Sequence, residues 1–248
     1  MKLGELFDAM RGWAEALENP GGADPDITRV EYDSRRVSKS EHGVIFACVV
    51  GENSDGHDFA EKAVEAGAAA LLCERRLPVR VPQIVARRAR AAMSKAASVV
   101  CGNPAGRMKM IGLTGTNGKT TTSYLTRSII RASGAVAGMI GTIVYDDGES
   151  ESFADRTTPE GPDIQMALSK MVEKGASHCV MEASSHGLDQ GRLEGCLFDR
   201  VGFSNLTPEH LEYHDGMERY FEAKRKLFSD YTAPGWLGAV NADDEYGN

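Results

Sequence analysis

The sequence predicts an α/β fold in two parts, a small N-terminal α/β domain followed by a mostly parallel sheet built around a glycine-rich loop. Three observations predict it. Short apolar runs alternate along the whole chain with amphipathic runs of helical period. Near the middle, "MIGL" passes directly into "TGTNGKTT" and then into "TSYLTRSII", giving strand, glycine-rich loop and helix in immediate succession. The 248 residues, 42% of them hydrophobic, suffice for one large domain or two small ones with real cores.

The first region runs over 1–107. "LGELFDAM" reads as a short helix and "NPGGADPD" as a loop, by its Gly, Pro and Asp content. "ITRVEYDS" alternates like a strand, and "GVIFACVV" is a buried strand run. "DFAEKAVEAGAAALLCE" reads as a helix stopped at Gly67 and then a strand. "VPQIVA" is a further strand, and "RARAAMSKAASVVCGNP" a helix ended by Gly102 and Pro104. The second region covers 108–248. After the loop and its helix, "AVAGMIGTIVYDDG" reads as strand and turn, and "PDIQMALSKMVEKGAS" as a helix with a Gly stop. "HCVMEASS" and "FDRVGFSNL" read as strands, "GMERYFEAKRKLFSDY" as a helix and "GWLGAVNADD" as a last strand. This rhythm implies a parallel sheet covered by helices.

Composition narrows the function. A net charge of -8 and a pI near 5.3 argue against a general nucleic-acid binder. The five cysteines are scattered without a CxxC pair, as expected of reduced, mostly buried thiols. The N-terminus is too acidic for a signal peptide, and no apolar run approaches the ~20 residues of a membrane span. A cytoplasmic protein with no membrane partner is expected.

The glycine-rich loop has a physical logic. Bare backbone N–H groups at a helix N-terminus suit a phosphate. Lys119 can reach the outer phosphates, and Thr120 can offer its hydroxyl to Mg²⁺. The general GxxxxGK[ST] spacing asks for glycine where Leu113 stands, while Gly115, Gly118, Lys119 and Thr120 are kept. Downstream, Glu182 ends an apolar strand, where a carboxylate serves either as a cation ligand or as a solvated strand end. His210 and His214, four apart, would share a helix face as a metal pair or in plain polar roles. Lys224 lies among the apolar positions of a helix. It either snorkels to solvent or sits in a low-polarity site where it loses its proton easily. Thr157 and Thr158 precede Pro159 as helix N-caps would, and "YDSR" and "GENSDGHDF" read as polar loops after strands.

Taken together and in order, these motifs resemble a known family. "TGTNGKTTT", "RTTPE", "MEASSHGLDQGR", "FSNLTPEHLEYHDGMERYFEAKRKLF" and "NADDE" are similar to the central ATPase domain of the Mur ligases. "YDSRRV" with "FACVVGENSDGHDFAEKAVEAGAAALLCE" is similar to the N-terminal domain of the type that adds the third peptide residue, the MurE type. The resemblance covers nearly the whole chain. It implies that ATP phosphorylates the free carboxylate of UDP-N-acetylmuramoyl-L-Ala-D-Glu and that an amino acid, by default meso-diaminopimelate, attacks the acyl phosphate. Such catalysis is positioning and charge stabilisation.

By motif match, Gly115, Thr116, Asn117, Gly118, Lys119, Thr120 and Thr121 would hold the ATP phosphates, with Asn241 near the adenine. Thr120, Glu182, His210 and a carbamylated Lys224 would serve Mg²⁺. Lys119, Glu182, His210 and Lys224 are thus the expected catalytic set. Tyr32, Ser34, Glu52, Asn53 and Ser54 would face the uridine side of the substrate. Thr157, Thr158, Ser184, Gln190 and Arg192 would face its muramoyl-dipeptide end. Two positions depart from the family pattern: Arg156 where Asn is often found, and Glu209 where Asp is usual.

The family also has a third, C-terminal domain that binds the incoming amino acid. No segment here resembles it, so the expectation is a C-terminally truncated chain, a monomer, that does not complete the ligation alone. Two alternatives are a short non-catalytic protein that binds UDP-sugar or nucleotide, and a ligase like folylpolyglutamate synthetase. The "YDSRRV" and "DGHDF" loops count against the second.

Overall fold

The computed structural model describes residues 1–247; the last residue of the second region, Asn248, lies outside them. The chain divides into two units, one ending at Asn103 and the other beginning at Pro104, each with its own sheet. The division falls a few residues before the expected one. The 3₁₀ turn Pro104–Arg107 supplies Ala105 to the core of the second unit, so packing assigns the turn there.

The first unit comprises α1 (Leu3–Ala9), β1 (Ala16–Glu18), β2 (Arg29–Glu31), β3 (Val44–Ala47), α2 (Ala60–Ala66), β4 (Ala70–Cys73), β5 (Gln83–Val85) and α3 (Ala89–Val100). Its sheet runs β1-β5-β4-β3-β2, parallel except for β1, which pairs antiparallel with β5. Alternate residues of a strand point to opposite faces. Ile45, Ala47, Leu72 and Ile84 therefore meet Leu3 and Leu6 of α1 and Ala92, Met93 and Ala96 of α3. Val44, Phe46, Leu71 and Cys73 meet Ala60 and Ala63 of α2. Both faces are covered, which is why these strands read as continuous apolar runs. The three-residue edge strand β1 carries no such run and escaped the sequence pattern.

The second unit comprises β6 (Lys109–Thr114), α4 (Lys119–Ala132), β7 (Ala137–Ile140), β8 (Val144–Asp146), β9 (Glu151–Phe153), α5 (Gly161–Glu173), β10 (His178–Glu182), α6 (Ser185–Asp189), β11 (Phe198–Phe203), α7 (Leu211–His214), α8 (Met217–Ser229) and β12 (Thr232–Val240). The sheet runs β12-β11-β6-β10-β7-β8-β9. It is parallel from β12 to β7, and β8 and β9 continue it as antiparallel hairpin strands. The run "AVAGMIGTIVYDDG", expected to be a strand and a turn, breaks at residues 141–143 and folds back into a second strand, so that Ile140 pairs with Tyr145. Buried Asp146 of β8 is ion-paired to both Arg127 and Arg131 of α4, which ties the hairpin to that helix.

One face of the sheet packs Ile111, Leu113, Met139 and Val180 against Tyr124 and Ile130 of α4. The other packs Met110, Met181, Phe198 and Val201 against Ile164 and Leu168 of α5, Leu188 of α6 and Leu227 of α8. Register places Glu182 beside Leu113 and Phe203 beside Thr114, so the carboxyl ends of β10, β6 and β11 lie in one row. In open α/β sheets that row is where ligands bind. Among the described residues, no helix is long and apolar enough to cross a membrane.

Phe198 is fully buried, and its ring lies where a Cβ on Gly112 of the central strand would stand only 2.9 Å away. Phe198→Ala is expected to cost about 3–5 kcal/mol of stability, read from the urea midpoint at unchanged slope. A cost below about 1 kcal/mol would mean that this core does not depend on the ring.

Candidate functional site

The loop between β6 and α4 is held from below by the segment after β11. Thr116 donates its N–H to Asn205 O (2.8 Å), and Asn117 donates its N–H to Asn205 Oδ1 (2.9 Å). Ser204 Oγ and Asn205 Nδ2 donate to Asn117 O. Thr207 N–H donates to Thr116 Oγ1, which also meets the Tyr220 hydroxyl at 3.1 Å. The backbone at Gly115 is left-handed (φ +138), and a Cβ there would stand 2.0 Å from Ser204 Oγ, so only glycine fits. With Thr116 and Asn117 spent on this scaffold, the donors of the first helical turn remain. Among the described residues no acceptor reaches the N–H groups of Gly118, Lys119, Thr120 or Thr121. Four unpaired donors at a helix N-terminus are a site for an anion.

Two lysines flank these donors. Lys119 Nζ donates to Gly115 O and Thr116 O, both at 2.9 Å, and Lys224 Nζ donates to the same Gly115 O at 2.8 Å. Lys224 does not snorkel. It is buried, 4.5 Å from the Tyr220 ring centroid. Burial first, and repulsion from Lys119 second, bring its pKa down to about 7. Burial also lowers the pKa of Lys119, against the pull of Glu182 and Glu209.

Glu182 ends β10 with no solvent exposure. Its Oε2 accepts from the Thr120 hydroxyl (2.9 Å) and the Thr142 hydroxyl (3.0 Å), and its Oε1 accepts from Thr142 N–H (3.1 Å). The Thr142 hydroxyl also meets Thr157 Oγ1 at 3.1 Å. Thr142 stands in a run that the sequence pattern reads only as strand and turn, so nothing local marks it as a site residue beyond its being polar and following glycine at a possible strand break.

The threonines before α5 do not cap it. Glu160 stands at the N-cap, and Thr158 instead donates to Glu182 O (2.8 Å) and accepts from Ser184 N–H (2.9 Å). Ser184 caps α6 by accepting from Gly187 N–H. Arg192 donates to Thr158 O and Gln190 Oε1 and pairs with Glu160, and Gln190 donates to the Tyr213 hydroxyl. Thr158, Ser184, Gln190 and Arg192 thus form one bonded group, joined through Glu182 to Thr157 and the loop.

His210 and His214 do not share a helix face. His210 has left-handed backbone (φ 56) and precedes α7, while His214 closes it. Their rings instead converge on His186, at 4.8 and 5.4 Å between centroids, with Tyr213 and Tyr220 adjoining. His214 is buried against Ser185 Oγ at 2.9 Å, and desolvation lowers its pKa to about 4. Among the described residues, no three His, Cys, Asp or Glu side chains converge to hold a metal. Of the expected cation ligands, Thr120 and Glu182 are brought together by a hydrogen bond, and His210 is exposed. A Mg²⁺ ion fits such a sparse set, because it takes one or two protein ligands and fills its shell with phosphate oxygens and water.

Asn241 follows β12 and lines a cavity of about 530 Å³ together with Lys119, Ser204 and the sheet residues Leu113 and Gly202. In the first unit, Tyr32 follows β2 while Glu52, Asn53 and Ser54 follow β3, at the carboxyl ends of neighbouring parallel strands. Buried Glu31 accepts from the N–H groups of Tyr32 (2.9 Å) and Asp33 (3.0 Å), and Asp33 accepts from Arg35 N–H across Ser34. The five cysteines are all free, and burial pushes the Cys48 and Cys196 thiols up to about 12.

A parallel sheet with an anion-binding helix N-terminus, a lysine and a buried strand-end carboxylate defines a P-loop-type nucleotide-binding unit. Residues 113–248 match the family described as "Mur ligase middle domain", and residues 26–105 match "Mur ligase family, catalytic domain". The chain belongs to the Mur ligase family, whose members are ATP-dependent ligases. It is 43% identical over 251 residues to the UDP-N-acetylmuramoyl-L-alanyl-D-glutamate--2,6-diaminopimelate ligase of Bacillus licheniformis, with 98% of this chain and 50% of that one covered. Against the ligase of the same name from Geobacillus thermodenitrificans it is 44% identical over 230 residues, covering 92% of this chain and 45% of that one. A solved structure of a ligase of that name superposes with a TM-score of 0.74 at 31% identity, over 89% of this chain and 44% of that one. MurF from Acinetobacter baumannii shares the fold, with a TM-score of 0.67 at 20% identity over 98% of this chain and 49% of that one. The chain spans about half the length of the curated relatives it matches.

The state of Lys224 makes a pH prediction. In the fold its ammonium form is disfavoured, so between about pH 7 and the ordinary lysine value of 10.5 the unfolded chain holds the extra proton. Stability from this group therefore rises with pH across that window, and the penalty is complete below it. Without divalent cation, the Tm of wild type relative to Lys224→Met is expected to rise between about pH 6 and about pH 9. A constant difference would place the amine in a polar environment.

Proposed function

We propose that this chain is the UDP-substrate-binding and ATPase portion of a ligase that joins the third amino acid to UDP-N-acetylmuramoyl-L-Ala-D-Glu in peptidoglycan synthesis. The observation that carries this reading is the row of four unpaired N–H groups beside Lys119 and the buried Thr120–Glu182 pair. That array matches a triphosphate and its cation. The names of the relatives point to 2,6-diaminopimelate as the amino acid.

In this reading the γ-phosphoryl group of ATP passes to the free carboxylate of the dipeptide, giving an acyl phosphate and ADP. The amine of the incoming amino acid then attacks the acyl carbon, phosphate leaves and an amide forms. The chain's own groups position and neutralise charge. The N–H groups of Gly118 to Thr121 receive phosphate oxygens, and Lys119 turns from the loop carbonyls to the outer phosphates. Thr116 and Asn117 keep the loop in shape, and Asn241 lies on the nucleoside side of the cavity. Mg²⁺, when bound at Thr120 and Glu182 with His210 nearby, supplies charge neutralisation of the phosphates. Lys224, with its depressed pKa, is suited to add CO₂. The ammonium first gives one proton to solvent, the neutral amine then forms the N–C bond with CO₂ and loses a second proton, and a cation has become an anionic carbamate. Thr157, Thr158, Ser184, Gln190 and Arg192 face the muramoyl-dipeptide, and Tyr32, Ser34, Glu52, Asn53 and Ser54 face the uridine. We place the protein in the cytoplasm, as a monomer without nucleic-acid or membrane partners.

Calorimetric titration with a non-hydrolysable ATP analogue tests this. The chain is expected to bind the analogue more tightly with Mg²⁺ than without. Lys119→Ala is expected to weaken binding by about tenfold to a hundredfold, the loss of a charge-assisted hydrogen bond. An unchanged affinity in Lys119→Ala would reject the loop as the phosphate site.

A further inference from the structure

Thr142 belongs to no motif that the reading above uses. It lies in the break between β7 and β8, where residues 141–143 turn the chain back on itself. Its side chain is exposed, so it does not serve the core. Yet it contacts the buried carboxylate of Glu182 twice, through N–H to Oε1 at 3.1 Å and through its hydroxyl to Oε2 at 3.0 Å. The turn is shaped for this approach. A Cβ on Gly141 would stand 2.4 Å from Glu182 Oε1, so a larger residue there would push the carboxylate out of its present position under the next N–H.

The protons of this cluster can be assigned. A carboxylate only accepts, and a threonine hydroxyl has one proton. Thr142 gives its proton to Glu182, so in the 3.1 Å contact with Thr157 the Thr157 hydroxyl is the donor. The chain runs Thr157 to Thr142 to Glu182, with every hydrogen bond directed at the carboxylate. Oε2 has one further donor, the hydroxyl of Thr120. If Thr120 turns its oxygen toward a cation, that bond is weakened or lost, and Thr142 remains as the fixed donor on Oε2.

We propose that Thr142 is a positioning residue: its paired hydrogen bonds aim the Glu182 carboxylate at the cation that accompanies the nucleotide. The inference rests on the reading of Glu182 as a cation ligand. Partners of this kind, which orient a ligand without touching the metal, typically change metal affinity by about 10–100-fold when removed. Thr142→Val removes the hydroxyl and keeps the shape and the backbone N–H. Thr142→Ser keeps the hydroxyl.

The experiment is a Mg²⁺ titration of ATP-analogue binding by the full chain, with a parallel measurement in chelator and a thermal melt of each variant. Thr142→Val is expected to need about tenfold more Mg²⁺ for half-maximal enhancement, while chelator affinity and Tm stay at wild-type values. Thr142→Ser is expected to titrate like wild type. A purely structural role would lower Tm or shift the chelator affinity instead. The proposal is overturned if Thr142→Val titrates like wild type while Glu182→Gln loses its Mg²⁺ response. If Glu182→Gln also responds like wild type, the cation reading of Glu182 fails and takes the inference with it. Should the valine variant not fold, Thr142→Ala at the same exposed position carries the same expectation.

Discussion

A carboxylate without solvent exposure, at the end of an interior strand of a parallel sheet, is the constraint around which the second unit is arranged. A buried charge is tolerable only when its oxygens are satisfied. Glu182 achieves this with three donors from two separate places: the Thr120 hydroxyl in the first turn of α4, and the backbone N–H and hydroxyl of Thr142 in the hairpin turn. Its backbone carbonyl takes the Thr158 hydroxyl from the segment before α5. Satisfying one residue thus gathers the phosphate loop, the hairpin and the substrate-facing segment into a single hydrogen-bonded group.

The same economy governs the two lysines. Lys119 and Lys224 come from segments far apart in sequence, and both donate to Gly115 O. Holding two ammonium groups on one carbonyl in a low-dielectric site raises the cost of their charge, and Lys224, the more buried, carries the larger shift. Arrival of an anion at the free N–H row would relieve that repulsion. A site that is electrostatically uncomfortable when empty and neutralised when filled favours its ligand without requiring a large rearrangement.

Much of this was legible along the chain because the responsible signals are local. Glycines with a Lys-Thr pair at a strand-to-helix junction mark an anion site wherever they occur, since the helix N-terminus does the binding. Continuous apolar runs identify strands covered on both faces. The misreadings share a cause. Thr142 was hidden inside an apolar run because the strand break is enforced by the antiparallel pairing of Ile140 with Tyr145 and by Asp146 bound to Arg127 and Arg131, none of which has a local sign. Thr157 and Thr158 look like helix caps along the chain because their actual partners, Thr142 and Glu182, lie on other elements, beyond any local window. His210 and His214 looked like a helical pair, whereas left-handed backbone at His210 sends the rings to His186 instead.

Sequence by itself determined the element order, the phosphate-type loop and the family, because each depends on periodicity or on chemistry within a short window. Tertiary structure alone decided that Lys224 is buried and close to losing its proton rather than snorkelling. It also decided that Glu182 is shielded from water rather than being a solvated strand end, and that an exposed threonine in a turn reaches it. The physical reason is the same in each case. Burial and proton affinity are set by what surrounds a group in space, and the groups that set them here come from strands, turns and helices that only the folded sheet brings together.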